Sequence, residues 1–298
     1  MKRKMSKVMV MVLLVACISI VFVGCGSNDN EINIAAQNVN ETVILAHMAK
    51  ILVEENTDAT VNINTEFQGS SVLHQAMLNE EIDIYPTWTG TQLTGVLRYE
   101  GPNLTAEETY QRVKDGFEEE FNMTWGEPLG FNNTYVFTIT DAIAEEYNLK
   151  KASDLAPYAE DWILAGDENF DTRSDAYPGW SEAYDIEFKE VVPMQYGVMY
   201  TALDNNEVQV AAAYSTDSRI AKLNLVMLED DKEFFPDYSG AYVISQSFLE
   251  DNTEVLDIVN KLGGMIETAE MAALNLRFDE GEEPDVIAND FLKEKGLI

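Results

Sequence analysis

Short segments in which apolar and polar residues alternate take turns along this chain with segments whose apolar residues recur every three or four positions. No feature limits the fold more, because period two marks a strand and a period near 3.6 marks a helix. Ile32-Asn33-Ile34-Ala35 reads as a strand, and Glu41 to Glu55 as a helix with Ile44, Met48, Ile51 and Leu52 on its inner stripe. Val61, Ile63 and Thr65 alternate with Asn62, Asn64 and Glu66, and Gly69-Ser70-Ser71 then opens a helix facing inward through Leu73, Ala76 and Met77. Glu81 to Tyr85 is a third predicted strand. Thr105-Ala106-Glu107-Glu108 is a capping box, which predicts a helix toward Phe121. Further strands are expected at Tyr135 to Ile139, Trp162 to Ala165, Val208 to Ala212 and Leu225 to Leu228, with helices at Asp141 to Tyr147 and Ser215 to Lys222. Three helices are expected at the C-terminal end: Ser247 to Lys261, Met265 to Leu276, and one with Pro284 in its first turn. This alternation predicts an α/β fold with mainly parallel sheets.

A length of 298 residues fits two domains at about 150 residues each. The charge is unusual: 53 Asp and Glu against 19 Lys and Arg give −34. Non-specific nucleic-acid binding needs cations to neutralise phosphates, so nucleic acid is not expected as a partner.

The N-terminal 24 residues read as a separate object. Lys2, Arg3, Lys4 and Lys7 precede an apolar run from Val8 to Val23, which has the form of a secretory signal. The run is too short for a secure membrane span. Phe22-Val23-Gly24-Cys25 resembles the bacterial lipobox, with Phe22 in place of the usual Leu. Leu14-Val15-Ala16-Cys17 fits that box better, but its use would leave Ile18 to Val23 as an exposed apolar tail. Residues 1–24 are therefore expected to be a signal peptide, Cys25 the lipidated residue, and 25–30 a polar tether on the outer face of the cell membrane. Loss of 1–24 would take the net charge from −34 to −38 and leave Cys25 as the one cysteine, with no internal disulfide possible. Such a chain must rest on its hydrophobic core.

Chemistry for catalysis is hard to find. The two histidines, His47 and His74, each fall in a predicted helix, and no G-x-S-x-G, Walker or G-x-G-x-x-G pattern occurs. Asp167-Glu168-Asn169-Phe170-Asp171 suggests a calcium loop, but Thr172 replaces the turn glycine and Pro178 the bidentate acid. With 53 acids, neighbouring carboxylates are expected by chance. No cofactor, metal or enzymatic activity is expected.

Aromatic residues cluster where predicted strands meet loops: Trp88 near Thr91, Tyr135, Tyr214 and Tyr238. In open α/β sheets ligands bind beyond the carboxyl ends of strands. Six segments carry a resemblance. They are Ala35-Ala36-Gln37-Asn38; Glu81-Ile82-Asp83-Ile84-Tyr85-Pro86 with Thr89-Gly90-Thr91; Gly130-Phe131-Asn132-Asn133-Thr134-Tyr135; Pro193-Met194-Gln195; Ala213-Tyr214-Ser215-Thr216-Asp217; and Phe234-Phe235-Pro236. In that order, behind a lipobox, they resemble the substrate-binding lipoproteins of ABC importers for glycine betaine, carnitine and choline.

The resemblance implies a two-lobed, periplasmic-binding-protein-like type II fold with two crossing hinge strands and the ligand in the interlobe cleft. It places the crossings near Pro128 and Asp231, giving one lobe from 31–128 with 232–298 and another from 129–231. It implies Trp88, Tyr135, Tyr214 and Tyr238 as an aromatic cage for a trimethylammonium head, with Trp88 where the family commonly has Tyr. Gln37 and Thr91 are placed near a ligand carboxylate, and Arg173 approximately where some relatives use an arginine. The partners implied are a quaternary ammonium compound and a membrane permease, with the protein itself a monomer. A same-fold receptor for an amino acid or other polar solute, and an exported acidic hydrolase, stay open as alternatives.

Overall fold

The computed structural model describes residues 31–298 except 103, 168–169 and 172–175. The leader, Cys25 and Arg173 lie outside the described residues.

The strands are β1 (Glu31–Gln37), β2 (Thr60–Phe67), β3 (Ile84–Trp88), β4 (Met123–Trp125), β5 (Tyr135–Ile139), β6 (Ile163–Gly166), β7 (Glu190–Pro193), β8 (Val210–Tyr214), β9 (Val226–Leu228) and β10 (Gly240–Ser245). They form two five-stranded sheets, ordered β2-β1-β3-β10-β4 and β7-β6-β8-β5-β9. Each sheet buries apolar residues on both faces. On the first sheet, Ile34, Ile84 and Ile244 pack against Ile44 and Leu52 of the helix Asn40–Asn56, while Tyr85 and Val243 face Val113 and Phe117 of Ala106–Phe121. On the second, Phe137 and Leu164 meet Trp180 on one side, and Ala165 and Ala211 meet Met199 and Leu203 on the other. Two layered α/β lobes result.

The sheets are mixed, and this corrects the expectation of mainly parallel ones. β1/β3, β6/β7 and β6/β8 are parallel, but β10 is antiparallel to β3 and β4, and β5 to β8 and β9. The cause is the way the chain changes lobes. β5 and β10 are each the first strand after a crossing, so each enters its sheet at the end where the parallel strands finish. Entry from that end forces the opposite direction.

The crossing segments also pair with each other. Asn132 and Ser239 form an antiparallel bridge, flanked by Leu129 N to Gly240 O at 2.8 Å and Asn133 N to Tyr238 O at 3.1 Å. Leu129 and Phe131 pack in the first lobe's core, whereas Phe234 and Phe235 pack against the second's.

Other elements shift for local reasons. β3 lies three residues later than expected and runs through Pro86, which pairs with Tyr242 as β10 covers one side of the strand. The helix expected from Ser215 is Ser218–Lys222, because the Asp217 carboxylate caps it by accepting from Arg219 N. The long helix expected from Ser247 breaks into Gln246–Asp251 and Glu254–Val259, where Asn252 Nδ2 donates to Phe248 O at the end of the first piece. β4, β7 and β10 were not expected, being short or continuously apolar without alternation. The capping box at Thr105 is present, as are β5 and the helix Asp141–Tyr147 at their expected bounds.

The return crossing is anchored where it leaves the second lobe. Tyr184 Oη and Phe235 N both donate to the Asp230 carboxylate, and Ser153 Oγ donates to Asp231 Oδ2 at 2.7 Å beside Lys151 at 3.3 Å. Burial would raise the Asp231 pKa, but the Ser153 hydrogen bonds and Lys151 outweigh it and hold the group at about 2. A folded pKa below the unfolded value of about 3.9 stabilises the protein above that pH, and the benefit fades as pH falls toward 2. Asp231→Asn should therefore melt at a lower temperature than the parent at pH 6, with the gap narrowing toward pH 2.5 in scanning calorimetry.

Candidate functional site

Antiparallel re-entry puts the first residue of one strand beside the last residue of another. Tyr135 opens β5 and pairs with Tyr214, which ends β8; Gly240 opens β10 and pairs with Trp88, which ends β3. Both junctions face the cleft. A cavity of about 280 Å³ there is lined by Trp88, Thr91, Asn133, Thr134, Tyr135, Tyr214 and Tyr238. That volume lies at the small end for ligand pockets, which suits a small solute.

Each ring is fixed from behind. Tyr135 and Tyr214 stack with centroids 4.8 Å apart and planes 25° apart, and their hydroxyls lie 3.3 Å from each other. Tyr135 Oη donates to Asp167 Oδ2 at 2.6 Å, and Phe170 and Phe235 pack against the same ring. Burial, with the hydrogen bond to Asp167, pushes the Tyr135 phenol well above its ordinary range. On the first lobe, Trp88 Nε1 donates to Glu41 Oε1 at 2.5 Å. Tyr238 is held through its backbone, whose N–H donates to Asn132 Oδ1 at 2.8 Å. The preceding Asp237 accepts from Thr89 Oγ1 at 2.9 Å and Ser239 N at 3.0 Å, tying this loop to the start of the helix Thr89–Gly95.

Glycine is required at position 90 for a steric reason. A Cβ on Gly90 would lie 2.3 Å from Asp237 O and 2.9 Å from Tyr238 Cδ1. The Tyr238 ring thus lies over bare backbone, and Thr89-Gly90-Thr91 acts as its seat. Ser215 braces the start of the second lobe: its hydroxyl donates to Asn132 O, and Thr134 N donates to it at 3.1 Å.

The structure brings together Trp88, Thr91, Tyr135, Tyr214 and Tyr238 of the residues expected from sequence. Gln37 does not line this cavity. It ends β1 half-buried, and its carbonyl accepts from Thr42 Oγ1 at 3.0 Å. Arg173 is outside the described residues. Sequence reasoning did not single out Asn133, Thr134 or Glu41. Glu41 is 1% exposed, and burial raises its pKa against hydrogen bonds from Thr216, Trp88, Asn133 and Asn275. A signal for it was present: Glu41 falls in phase with Ile44 and Met48, on the apolar stripe of its helix.

Comparison with known proteins agrees with this arrangement. The family model described as the substrate-binding domain of ABC-type glycine betaine transport systems matches residues 30–294. The chain belongs to that family. It is 41% identical over 277 residues to the carnitine transport binding protein OpuCC of Listeria monocytogenes, covering 92% of this chain and 89% of that one. It is 30% identical over 268 residues to the ergothioneine transport permease/ergothioneine binding protein EgtU of Helicobacter pylori, covering 89% of this chain and 47% of that one. A solved structure described as a glycine betaine/carnitine/choline ABC transporter superposes with a TM-score of 0.85 at 36% identity, covering 89% of this chain and 99% of that one. The fold is accordingly the two-lobed type II form. Family members bind a small solute outside the cytoplasm and deliver it to a membrane permease. No helix among the described residues is long and apolar enough to cross a membrane.

Gly90→Ala should cost about 1–3 kcal/mol of stability through overpacking against Asp237 and Tyr238. A urea titration checks this, and an unchanged midpoint would remove Gly90 from the architecture of the site.

Proposed function

We propose that the Trp88, Tyr135, Tyr214 and Tyr238 rings close around the trimethylammonium head of glycine betaine, carnitine or choline. The observation that carries this reading is one small cavity walled by rings from both lobes. A quaternary ammonium has no N–H to donate, so hydrogen-bond acceptors cannot hold it. Its charge is spread over methyl groups that also favour apolar contact, and an electron-rich ring face supplies both at roughly 0.5–2 kcal/mol per contact. Four such walls at the upper end of that range would supply about 8 kcal/mol, the scale of micromolar binding. Indole is the strongest of the aromatic faces, so Trp88 suits the task as well as a tyrosine. Thr91, Asn133 and Thr134 supply polar contacts at the wall, and Arg173 is the candidate partner for a ligand carboxylate.

The lobe boundaries are placed at the crossings near Pro128 and Asp231, a division supported by the nearby change of core, after Phe131 on the way out and after Phe235 on the return. Trp88, Thr91 and Tyr238 then face Tyr135 and Tyr214 across the cleft. A cage split in this way is complete only when the lobes are closed, so ligand favours closure, and the closed form is what the permease receives. The protein acts as a monomer without turnover, tethered through a lipid on Cys25. Cys25→Ser should move it from the detergent phase to the aqueous phase in a Triton X-114 partition. Retention in the detergent phase would mean an uncleaved anchor helix instead.

Titration calorimetry with glycine betaine, carnitine and choline, and with amino acids as competitors, tests the cage. Trp88→Ala and Tyr214→Ala should each weaken binding at least tenfold, about 1.4 kcal/mol. Heat with amino acids alone would transfer the site to another solute class.

A further inference from the structure

Glu41 is a carboxylate placed where a carboxylate is costly. It is 1% exposed, at the start of the helix Asn40–Asn56, and elements from both lobes meet around it. Trp88 Nε1 donates to Oε1 at 2.5 Å, Asn133 Nδ2 lies 3.3 Å from the same oxygen, and Asn275 Nδ2 lies 3.5 Å from Oε2. The Thr216 side chain adds a fourth hydrogen bond. An indole N–H can only donate, so this partner demands an acceptor. Among the described residues no Lys or Arg forms an ion pair with Glu41. A buried carboxylate without a cationic partner is costly to ionise, and burial raises the Glu41 pKa accordingly; a cation bound close by would offset that cost and favour the charged form. Glu41 does not line the cavity, but two of its partners, Trp88 and Asn133, do.

We propose that the Glu41 carboxylate is the counter-charge of the ligand's cation: it acts through the Trp88 indole and makes the site prefer a charged head to a neutral one of the same shape. This rests on the cage reading above and adds a residue that does not itself touch ligand. Two physical effects work together. The negative charge attracts the cation across a short, water-poor distance, where Coulomb forces are little screened. A hydrogen bond from the indole N–H to a carboxylate also pushes electron density into the ring, which strengthens the face offered to a cation. The second lobe repeats the arrangement, with Tyr135 Oη donating to Asp167. Each lobe thus brings an aromatic wall whose polar edge is tied to an acid. Glu41 also acts as a positioning residue for Trp88, so the test must separate charge from structure.

The separation comes from carbon-for-nitrogen isosteres. 3,3-Dimethylbutan-1-ol has the shape of choline, and 3,3-dimethylbutanoate that of glycine betaine, each without the head's charge. Affinities for both members of each pair are measured by calorimetry or competition in the full-length protein and in Glu41→Gln. The proposal expects Glu41→Gln to weaken binding of the quaternary ammonium at least tenfold and to change that of its isostere by less than about twofold. Equal losses for both would make Glu41 purely structural and overturn the proposal, as would an unchanged quaternary affinity.

A second measurement needs no variant. Protonating Glu41 removes the counter-charge, so wild-type affinity for the quaternary ammonium should weaken as pH falls from 7 to 4, and a flat profile overturns the proposal. The other ionisable groups on the elements around Glu41 are held by their own partners. Asp217 pairs with Arg219, Asp237 accepts from Thr89 and Ser239, and Asp279 accepts from Asn40 and Ser218. Arg277 pairs with Glu282 and Asp290, Glu270 with Lys295, and Lys50 with Glu54; His47 faces Asp285 and Lys50. If the wild type binds no quaternary ammonium at all, the cage reading fails, and this inference fails with it.

Discussion

The antiparallel pairing of the two crossing segments is the constraint from which the site follows. Asn132 bridges Ser239, and this pairing obliges β5 and β10 to enter their sheets at the end where β8 and β3 finish. A strand that starts where its neighbour stops places two chain positions distant in sequence side by side at the lip of a sheet. Tyr135 meets Tyr214 in this way, and Gly240 meets Trp88. With the crossings parallel, or absent, the same aromatics would lie at opposite ends of their sheets.

Beneath the rings lies a layer of small polar residues whose work is positional. Asn132 accepts from Tyr238 N, Ser215 donates to Asn132 O, and Asp237 grips Thr89. Three of the segments that carry the family resemblance contribute to this layer, through Thr89, Asn132 and Ser215. Gly130-Phe131-Asn132-Asn133-Thr134-Tyr135 holds one ring of the cavity, Tyr135, together with Asn132, which accepts from Tyr238 N and bridges Ser239. The motif thus carries part of the bracing of the walls.

Parts of both lobes are legible in the sequence. β5, the helix Asp141–Tyr147 and the capping box at Thr105 are local features, decided by alternation and by one side chain reaching one backbone N–H. The pieces that were not legible are those decided by a neighbour. β3 runs through Pro86 because β10 lies alongside it, and β10 itself is a plain apolar run whose strand character comes from β3 and β4. The sheets read as mainly parallel because alternation reports the order of elements and says nothing of a lobe crossing. Glu41 is hidden in the sequence for a similar reason: an acid in a helix is normally solvated, and only the groups from four other segments show why this one is buried.

By itself, the sequence determined an α/β chain with aromatic residues at strand ends, a family resemblance and a large negative charge. Those properties depend on residue type and short-range spacing, which the chain carries openly. It took the packed lobes to bring four rings to one cavity, to leave Gln37 off its wall, and to bury a carboxylate against the Trp88 indole N–H. These are relations between residues up to about 200 positions apart, set by the register of crossing strands and by which lobe each segment packs into. No local periodicity encodes them, because they come into being only when both lobes are folded and joined.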